Sequence, residues 1–247
     1  MTTVESVFDR IAHAYDELWD GTAIGTSQRQ AVWNEIEPLV RSGHRILDLG
    51  CGVGADALHL RSLGASPLGI DASAEMVRIA RQRGLEALHL PFERLRELNE
   101  RFDGAISNFG ALNCTTNLRR VASDLARLIV PGGYFAACIM GPCCAWEVVH
   151  FLLKGMPRKA FRRFGWSPAR WMGIEIRYPS TRQIQADLRP YFRLVRWCGI
   201  GLCVPPSYIK GASERCIRKL ARIDVRLHRL PIARALSDHR LLLFERV

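Results

Sequence analysis

One stretch constrains this chain more than any other: an apolar run that contains an acid and leads into three alternating glycines. The run covers residues 45–49 and includes Asp48, and the glycines are Gly50, Gly52 and Gly54. Glycines at this spacing let the backbone turn tightly and let a ligand approach without meeting a Cβ. A helical pattern follows at once. The stretch therefore predicts a strand, a glycine loop and a helix, the arrangement of a nucleotide-cofactor crevice.

Strand-like and helix-like patterns alternate along most of the remaining chain. This alternation predicts an α/β fold with a parallel sheet and right-handed crossovers. The predicted helices cover 4–20, 26–40, 54–63, 73–83, 117–130, 181–189 and 211–229. The predicted strands cover 45–49, 67–70, 85–90, 102–107, 134–140, 191–199 and 240–246, with a further short strand near 174–178.

Length and composition indicate one soluble domain. A chain of 247 residues with 48% hydrophobic residues suits a single α/β domain with a sizeable core. No apolar run approaches the roughly 20 residues that span a bilayer, and the first residues lack the features of a signal peptide. Eight cysteines without a C-x-x-C pair predict reduced thiols in the cytoplasm and no metal site.

The net charge of +11 is unevenly spread, with arginines concentrated in 158–177 and 215–240. Such surfaces attract polyanions or anionic membranes, and the simpler interpretation is a solvated basic face. The pattern is compatible with peripheral contact with the inner face of an anionic membrane. Nucleic acid is the less favoured partner.

The pattern divides the single domain, 1–247, into four parts. We expect residues 1–44 to form an N-terminal helical cap and residues 45–140 to form the cofactor-binding core. Residues 141–180 are interpreted as a substrate lid inserted after the fifth strand. Residues 181–247 complete the sheet.

The expected lid combines large aromatic side chains with basic residues. Helical spacing interrupted at Pro157 predicts a mostly helical lid, with a second, more basic turn over 158–164, aromatic side chains inward and arginines outward. The aromatics favour an apolar or aromatic substrate, and the basic residues would bind an acidic group on it or an anionic membrane. The helical repeat comprises Trp146, Val149, Leu153 and Met156; the aromatics are Trp146, Phe151, Phe161, Phe164, Trp166 and Trp171; the basic residues are Arg158, Lys159, Arg162 and Arg163.

The glycine loop alone leaves two cofactor classes open. Gly50-x-Gly52-x-x-Ala55 satisfies the dinucleotide pattern, and Asp71 lies 21 residues beyond Gly50, where a ribose-binding acid belongs. However, the loop follows a long helical leader, and no second nucleotide-binding half is visible. Asp48 would also sit awkwardly beside a pyrophosphate, whereas it suits a ligand with an ammonium group.

Four motifs in order, with the leader helix, carry a resemblance to a known family. The chain resembles class I S-adenosylmethionine-dependent methyltransferases, of the group similar to ubiquinone/menaquinone-type C-methylases, over about residues 5–140. The resemblance implies a Rossmann-like, seven-stranded, mostly parallel sheet with helices on both faces. The matching segments are Ile46 to Gly54, Leu68 to Ser73 with Met76, Phe102 to Asn108, Leu128 to Phe135, and the leader Phe8 to Asp16.

The resemblance also implies roles for individual residues with S-adenosyl-L-methionine as cofactor. Asp48 and the backbone of Gly50, Cys51 and Gly52 would hold its methionine end, and Asp71 would accept hydrogen bonds from both ribose hydroxyls. Ala72 and Met76 would border the adenine, Tyr15 would cover the cofactor, and Asn108 would face the crevice. Pro91 stands where the family commonly has an aspartate, so adenine recognition would rest on the Phe92 backbone, apolar packing or Glu93.

Ordinary structural roles remain open for these residues. Asp48 would otherwise cap a turn, Asp71 would cap the following helix, and Tyr15 would be helix core. Asn108 would otherwise hold the loop that follows it.

Methyl transfer to a small apolar or aromatic, anionic or lipid-like acceptor is the function expected from these features. An activated methyl group needs positioning more than a shared catalytic residue, so none is assigned. By residue type alone, His13, His150 and His239 are candidate bases. Cys143 and Cys144 are interpreted as buried cysteines of an apolar pocket. An RNA methyltransferase, an NAD-binding oxidoreductase and a non-catalytic S-adenosylmethionine-binding protein remain as alternatives.

Overall fold

A seven-stranded sheet forms the centre of the protein. The computed structural model describes residues 3–165, 169–209 and 211–247. The sheet order is β3-β2-β1-β4-β5-β9-β8, and β6 and β7 form a separate hairpin. The strands are β1 (Arg45–Leu49), β2 (Ser66–Asp71), β3 (Glu86–His89), β4 (Phe102–Ser107), β5 (Ile129–Met140), β6 (Ala169–Trp171), β7 (Ile174–Ile176), β8 (Phe192–Ile200) and β9 (His239–Arg246).

The strand directions confirm the predicted Rossmann-like, mostly parallel sheet. β1 pairs in parallel with both β2 and β4, so the chain order reverses on either side of β1. Only β9 runs against its neighbours in this sheet, β5 and β8. Ligands bind such sheets at the carboxyl ends of the strands where the order reverses. The topology therefore predicts a ligand site at the carboxyl ends of β1, β2 and β4.

Helices cover both faces of the sheet. The two packed layers follow the alternation along β1, where Leu47 and Leu49 contact one apolar cluster and Ile46 contacts the other. The helices are α1 (Val4–Ile11), α2 (Ala23–Ile36), α3 (Ala55–Ser62), α4 (Ala74–Gln82), α5 (Leu118–Leu128), α6 (Ala145–Leu153), α7 (Pro157–Ala160), α8 (Thr181–Leu188), α9 (Glu214–Leu227) and α10 (Pro231–Leu236).

The N-terminal helices differ from the prediction. The expected helix 4–20 ends as α1 at Ile11 and continues as a 3₁₀ turn and then a π-helical turn over Asp16–Asp20. α2 begins earlier than predicted, because the Thr22 side chain accepts a hydrogen bond from the Gly25 amide and caps the helix. It ends at Ile36, before Pro38, which lies in a short 3₁₀ turn.

The orientation predicted for the lid was wrong. The segment is helical on both sides of the interruption, as α6 and α7, but Leu153 is 84% exposed and Phe161 and Phe164 are also exposed. Arg163, expected outside, is buried because Glu147 and Asp238 pair with it. Trp166, one of the six aromatics of this prediction, lies outside the described residues.

Glu35 at the end of α2 ties the helical layer to the C-terminal region. Its carboxylate accepts hydrogen bonds from His228 and Arg229 at 3.0 and 2.8 Å and forms an ion pair with Arg196 on β8. These hydrogen bonds lower the pKa of Glu35 although burial opposes them. Cys198 lies close to Glu35 and His228, but the two arginines already neutralise the carboxylate.

Candidate functional site

The glycine loop turns at the carboxyl end of β1 through left-handed backbone conformations. Gly50, Gly52 and Gly54 have φ values of +71°, +54° and +91°. A Cβ at Gly50 would meet the Ala111 Cβ at 2.3 Å, and one at Gly54 would meet Leu85 Cδ1 at 2.2 Å. A Cβ at Gly52 would meet no described atom within 4 Å. Two glycines therefore allow close packing, and Gly52 leaves the approach to the loop open.

Asp71 at the end of β2 is tied to the glycine loop. Its Oδ2 accepts a hydrogen bond from the Gly52 amide at 2.9 Å, and its Oδ1 accepts one from the Ser73 amide at 2.8 Å. Burial raises the pKa of Asp71, and these two amides oppose that rise. Both the loop and the start of α4 are thus fixed by one carboxylate. The helix cap itself is Ser73, whose Oγ accepts from the Met76 amide.

Asp48 is a buried carboxylate with unused hydrogen-bonding capacity. The residue is 1% exposed, and its Oδ2 has no partner among the described residues. Burial raises its pKa well above the ordinary value, as do the carboxylates of Asp56 and Asp71, while Arg29 lowers it. A cationic ligand beside Asp48 would favour the charged carboxylate and offset this burial.

Arg29 on α2 forms the ionic hub of the site. Its guanidinium pairs with Asp20 at 2.6 Å and with Asp56 on α3. Trp33 Nε1 donates to the second oxygen of Asp56 at 2.7 Å. Burial lowers the pKa of Arg29, but the two carboxylates more than reverse this. The hub therefore connects the N-terminal segment to the helix that follows the glycine loop.

Asn108 and Phe109 line the end of β4. Asn108 Nδ2 donates to Asp56 at 3.1 Å, and its Oδ1 accepts from the Phe109 amide at 3.1 Å. Phe109 has φ +46°, an unusual conformation for a residue with a side chain. Its ring faces the Arg29 guanidinium, 5.1 Å from the ring centroid. Asn108 thus fixes the loop that follows β4 and hydrogen-bonds to the Asp56 partner of Arg29. That Asn108 faces the cofactor stays a prediction.

The N-terminal segment closes over α4 beside the crevice. Met76 is buried against Ala12, Val53 and the partly buried Tyr15. Burial raises the pKa of the Tyr15 hydroxyl. Asp9 on α1 accepts from Ser73 Oγ at 2.6 Å, which anchors the segment at the start of α4. The roles predicted for Tyr15 and Met76 toward a cofactor stay predictions.

The remaining predicted residues lie around the same loop. A Cβ at Gly50 would come within 3.8 Å of the Phe92 ring, so Phe92 borders the loop. Ala72 is half-buried between Asp71 and α4. Cys51 is buried, and its Sγ would contact any Cβ added at Gly69, so its side chain faces the sheet. Its predicted contribution was through the backbone.

The candidate bases and cysteines lie in different surroundings. His13 is exposed near Glu75, and His150 is half-buried on α6. His239 is 2% exposed, and burial lowers its pKa although Asp238 raises it. Burial also raises the pKa of Cys143 and Cys144, which favours neutral thiols there.

Sequence reasoning missed Arg29, Asp56, Asp9 and Phe109. A signal was available for Arg29: the buried face of α2 contains the apolar Val32 and Ile36, yet Gln28 and Arg29 in its second turn are buried as well. A polar pair on an apolar helix face indicates a buried polar partner. The partners lie 9 and 27 residues away from Arg29, so the sequence does not identify them.

The carboxylates and the open glycine of the site fit the methionine and ribose ends of S-adenosylmethionine. Asp48 offers an unpartnered carboxylate oxygen to an ammonium group, and Gly52 leaves room for close approach. Asp71 provides the acceptors that a pair of ribose hydroxyls requires, although both oxygens also accept backbone amides.

Comparisons with known proteins agree with this geometry. Residues 46–133 match the model of a family described as methyltransferase domain. The 2-phytyl-1,4-naphtoquinone methyltransferase of Nostoc punctiforme is 31% identical over 148 residues, covering 52% of this chain and 60% of that protein. The demethylmenaquinone methyltransferase of Clavibacter sepedonicus is 29% identical over 147 residues, covering 55% and 57%. The chain thus spans less than two thirds of the length of these curated relatives.

Two solved structures have the same fold. The S-adenosylmethionine dependent methyltransferase of Mesorhizobium loti superposes with a TM-score of 0.62 at 21% identity, covering 92% of this chain and 99% of that one. The geranyl diphosphate C-methyltransferase of Streptomyces coelicolor, solved with S-adenosyl-L-homocysteine, superposes with a TM-score of 0.55 at 13% identity, covering 89% and 78%.

Proposed function

We propose that this chain is a class I S-adenosylmethionine-dependent methyltransferase and that it methylates a small apolar or aromatic acceptor. The observation that carries the proposal is the cradle at the ends of β1 and β2. There, the open glycine Gly52 and the unpartnered oxygen of Asp48 lie beside the carboxylate of Asp71.

When bound, S-adenosylmethionine supplies a methyl group activated by its sulfonium. In the proposal, Asp48 binds the ammonium group and Asp71 orients the ribose. The two carboxylates of Asp20 and Asp56 carry more negative charge than the single guanidinium of Arg29 neutralises. The crevice therefore favours a cationic ligand over an anionic one. The same balance argues against a pyrophosphate and thus against NAD. Tyr15, Ala72, Met76 and Phe92 complete the proposed cofactor contacts.

The substrate class draws support from the relatives and from the fold. Both curated relatives described above are named for quinone-type substrates, which favours a small-molecule acceptor over RNA. We keep residues 141–180 as the proposed substrate lid. Its ion pairs from Arg163 to Glu147 and Asp238 anchor it next to the start of β9.

Calorimetric titration tests the cofactor. S-adenosylhomocysteine is expected to bind, and NAD is expected to give no heat of binding, because the carboxylates around the loop repel its pyrophosphate. The control variant Glu86→Gln changes an exposed carboxylate at the opposite end of the sheet and should bind S-adenosylhomocysteine normally. NAD binding without a response to S-adenosylhomocysteine would overturn the proposal.

We also propose peripheral contact with the inner face of an anionic membrane through the α6–α7 face, residues 145–165. Val149, Leu153 and Phe164 are exposed there beside the exposed Lys154 and Arg158. The single acid of this segment, Glu147, is buried, so its described surface is apolar and basic. That combination binds anionic interfaces. Within the described residues, no helix is long and apolar enough to cross a bilayer.

Vesicle co-sedimentation tests this contact. The protein should bind vesicles of phosphatidylglycerol and phosphatidylcholine more than vesicles of phosphatidylcholine alone. Leu153→Asp should reduce binding about tenfold or more, because a buried leucine contributes about 1.5–3 kcal/mol. Ile232→Asp, at a side chain of the same size and similar exposure on α10, is the matched control. Equal loss in both variants would exclude the α6–α7 face as the contact surface.

We place the protein in the cytoplasm, a location that is consistent with its eight free thiols.

A further inference from the structure

A cavity of about 390 Å³ opens at the outer edge of β8, where the described sheet ends. Sites for small molecules usually have volumes of about 300–1,000 Å³, so the cavity is large enough for a ligand. Five consecutive residues of β8, 194–198, line it together with Glu35, Arg229 and Arg234. Because successive side chains of a strand point to opposite faces, the cavity lies against the edge of the strand itself.

A bulge in β8 shapes this edge. The pairing of β8 with β9 shifts register between Leu194 and Arg196, and Val195 between them is 57% exposed. Bulges interrupt regular pairing and bend a strand, and they are common beside functional sites. The edge of a sheet also presents backbone groups that bind anions in other proteins. The backbone is therefore irregular and open at the place where the cavity forms.

Three guanidiniums and one carboxylate line the cavity, which makes its charge positive. Arg196 and Arg229 both pair with the carboxylate of Glu35. Among the described residues, Arg234 has no acidic partner, and its buried Nε has no hydrogen-bond acceptor. One carboxylate therefore leaves two of the three positive charges uncompensated. A partly enclosed cavity with such a surplus favours an anionic ligand.

Trp197 holds the guanidinium of Arg234 at the wall of the cavity. Arg234 Cζ lies 4.1 Å from the centroid of the Trp197 ring. This cation–π contact fixes the position of the guanidinium but does not neutralise its charge. The planar fork of an arginine matches the oxygens of a phosphate or carboxylate. Leu194, Val195 and Trp197 add an apolar surface to the same cavity.

We infer that this cavity binds a phosphomonoester that carries an apolar or aromatic body. A phosphomonoester has a charge of about −1.5 to −2 near neutral pH, which matches the two uncompensated positive charges, whereas a carboxylate has a single negative charge. Arg234 binds the phosphate oxygens, and Leu194 and Val195 pack against the body. The site is separate from the cofactor cradle, because β8 lies four strands from β1, roughly 19 Å at the usual strand spacing. The inference therefore goes beyond the proposed methyltransferase function and does not depend on it.

Calorimetric titration of the whole protein with phenyl phosphate tests the inference, beside titrations with benzoate and with inorganic phosphate. At about pH 8, above the second pKa of a phosphomonoester, phenyl phosphate is a dianion. We expect it to bind about tenfold more tightly than benzoate, which has one negative charge fewer. It should also bind about tenfold more tightly than inorganic phosphate, because its ring packs against the apolar wall. A phenyl phosphate affinity no higher than that of either comparison anion would overturn the inference.

Arg234→Gln removes the guanidinium that has no acidic partner and should weaken phenyl phosphate binding about tenfold or more. The matched control is Arg193→Gln, which removes the same charge from an exposed arginine of β8 that pairs with Glu245 and does not line the cavity. The control variant should bind phenyl phosphate as the wild type does. An equal loss of affinity in both variants would assign the binding to the net positive charge of the protein and would refute the cavity.

A second variant tests the cavity while Arg234 stays in place. Val195→Glu adds a negative charge at an exposed position of the cavity wall, so the fold should tolerate it and phenyl phosphate binding should weaken about tenfold. Val247→Glu adds the same charge at a valine that is 60% exposed and lies outside the cavity lining, and it should bind normally. Equal affinity in these two variants would contradict the inference.

Vesicles identify the source of the phosphate group. A phosphomonoester lipid presents the same group at a membrane surface, so binding to vesicles of phosphatidic acid is compared with binding to vesicles of the phosphodiester phosphatidylglycerol. If Arg234→Gln reduces binding to phosphatidic acid vesicles alone, the cavity takes a lipid headgroup; if vesicle binding is unchanged, the ligand is soluble. Both results support the site that phenyl phosphate detects. All four variants should bind S-adenosylhomocysteine as the wild type does, so a failure of the proposed function leaves this test intact.

Discussion

Replacing Arg163 with methionine should destabilise the protein far more than loss of a surface ion pair. Arg163 Nη2 lies 2.7 Å from Asp238 Oδ1, and Nε donates to Glu147 at 2.9 Å. The three side chains are 4%, 3% and 1% exposed, respectively. Removing one partner of a buried ion pair costs about 3–5 kcal/mol, because it leaves buried charge uncompensated.

The remaining contacts place the expected loss at the lower end of that range. Glu147 keeps hydrogen bonds from Arg162 and from the Tyr208 hydroxyl, at 2.6 Å each. Asp238 loses its guanidinium partner. We therefore expect a loss of about 3 kcal/mol, which lowers the Tm of a protein of this size by roughly 6–12 °C.

The loss should also depend on pH. Burial alone would raise the pKa of Asp238, but His239 and Arg163 lower it below its ordinary value. In the wild type this stabilisation is present above the unfolded pKa and is lost as the pH falls through the folded one. Without Arg163, the stranded Asp238 carboxylate has a raised pKa and binds a proton more readily. The stability difference between wild type and variant should therefore shrink as the pH falls from 7 towards about 4.

Circular dichroism during heating at pH 7 and at pH 5 measures both effects. Arg193→Met is the matched control, because it breaks a 2.6 Å ion pair with Glu245 on the surface. Such pairs contribute about 0–1 kcal/mol. The reasoning is refuted if both variants lose the same Tm, or if the Arg163→Met deficit is independent of pH.

Three further outcomes are expected. Asp71→Ala should weaken S-adenosylhomocysteine binding more than tenfold in titration calorimetry, since two charge-assisted hydrogen bonds contribute about 1.5–3 kcal/mol each; normal binding would leave Asp71 as an anchor of the loop and α4 only. Hydrogen exchange across 143–177 should be fast in the free protein and slow with ligands bound; protection equal to that of the central strands without ligand would contradict a lid. Glu35→Gln should lower stability at pH 7 by about 1–3 kcal/mol in urea unfolding. That loss should fade as the pH falls through the lowered pKa of Glu35, and a constant loss would contradict the assigned ion pairs.

The parts of the fold that the sequence predicts are those fixed by local pattern. The glycine spacing at Gly50–Gly54, the position of Asp71 and the run of β4 each depend on neighbours in sequence, and all lie close to their predicted places. The strand order then follows from the family resemblance. The helix predicted over 4–20 ends as α1 at Ile11. Asp9 docks α1 on the start of α4 through residues more than 60 positions away, a contact that local pattern does not predict.

The site was predictable only where a backbone motif marks it. Arg29 and Asp56 are separated by 27 residues, and neither has a motif. The same limit explains the lid: helical spacing identified α6 but not which side faces the protein. The buried Glu147 on the same helix pairs with Arg162 and Arg163, so the side of α6 that carries Glu147 faces the protein. Leu153 is left exposed to solvent.

One short turn of the N-terminal segment closes onto the ion pairs beside the proposed cofactor site. The π-helical turn Asp16–Asp20 places Trp19 against the Phe109 ring and Asp20 against Arg29. Freeing this turn would leave Arg29 buried with one carboxylate fewer, which is costly unless the guanidinium gains water or another partner. Any ligand that displaces this turn therefore has to offset the loss of the Asp20–Arg29 ion pair.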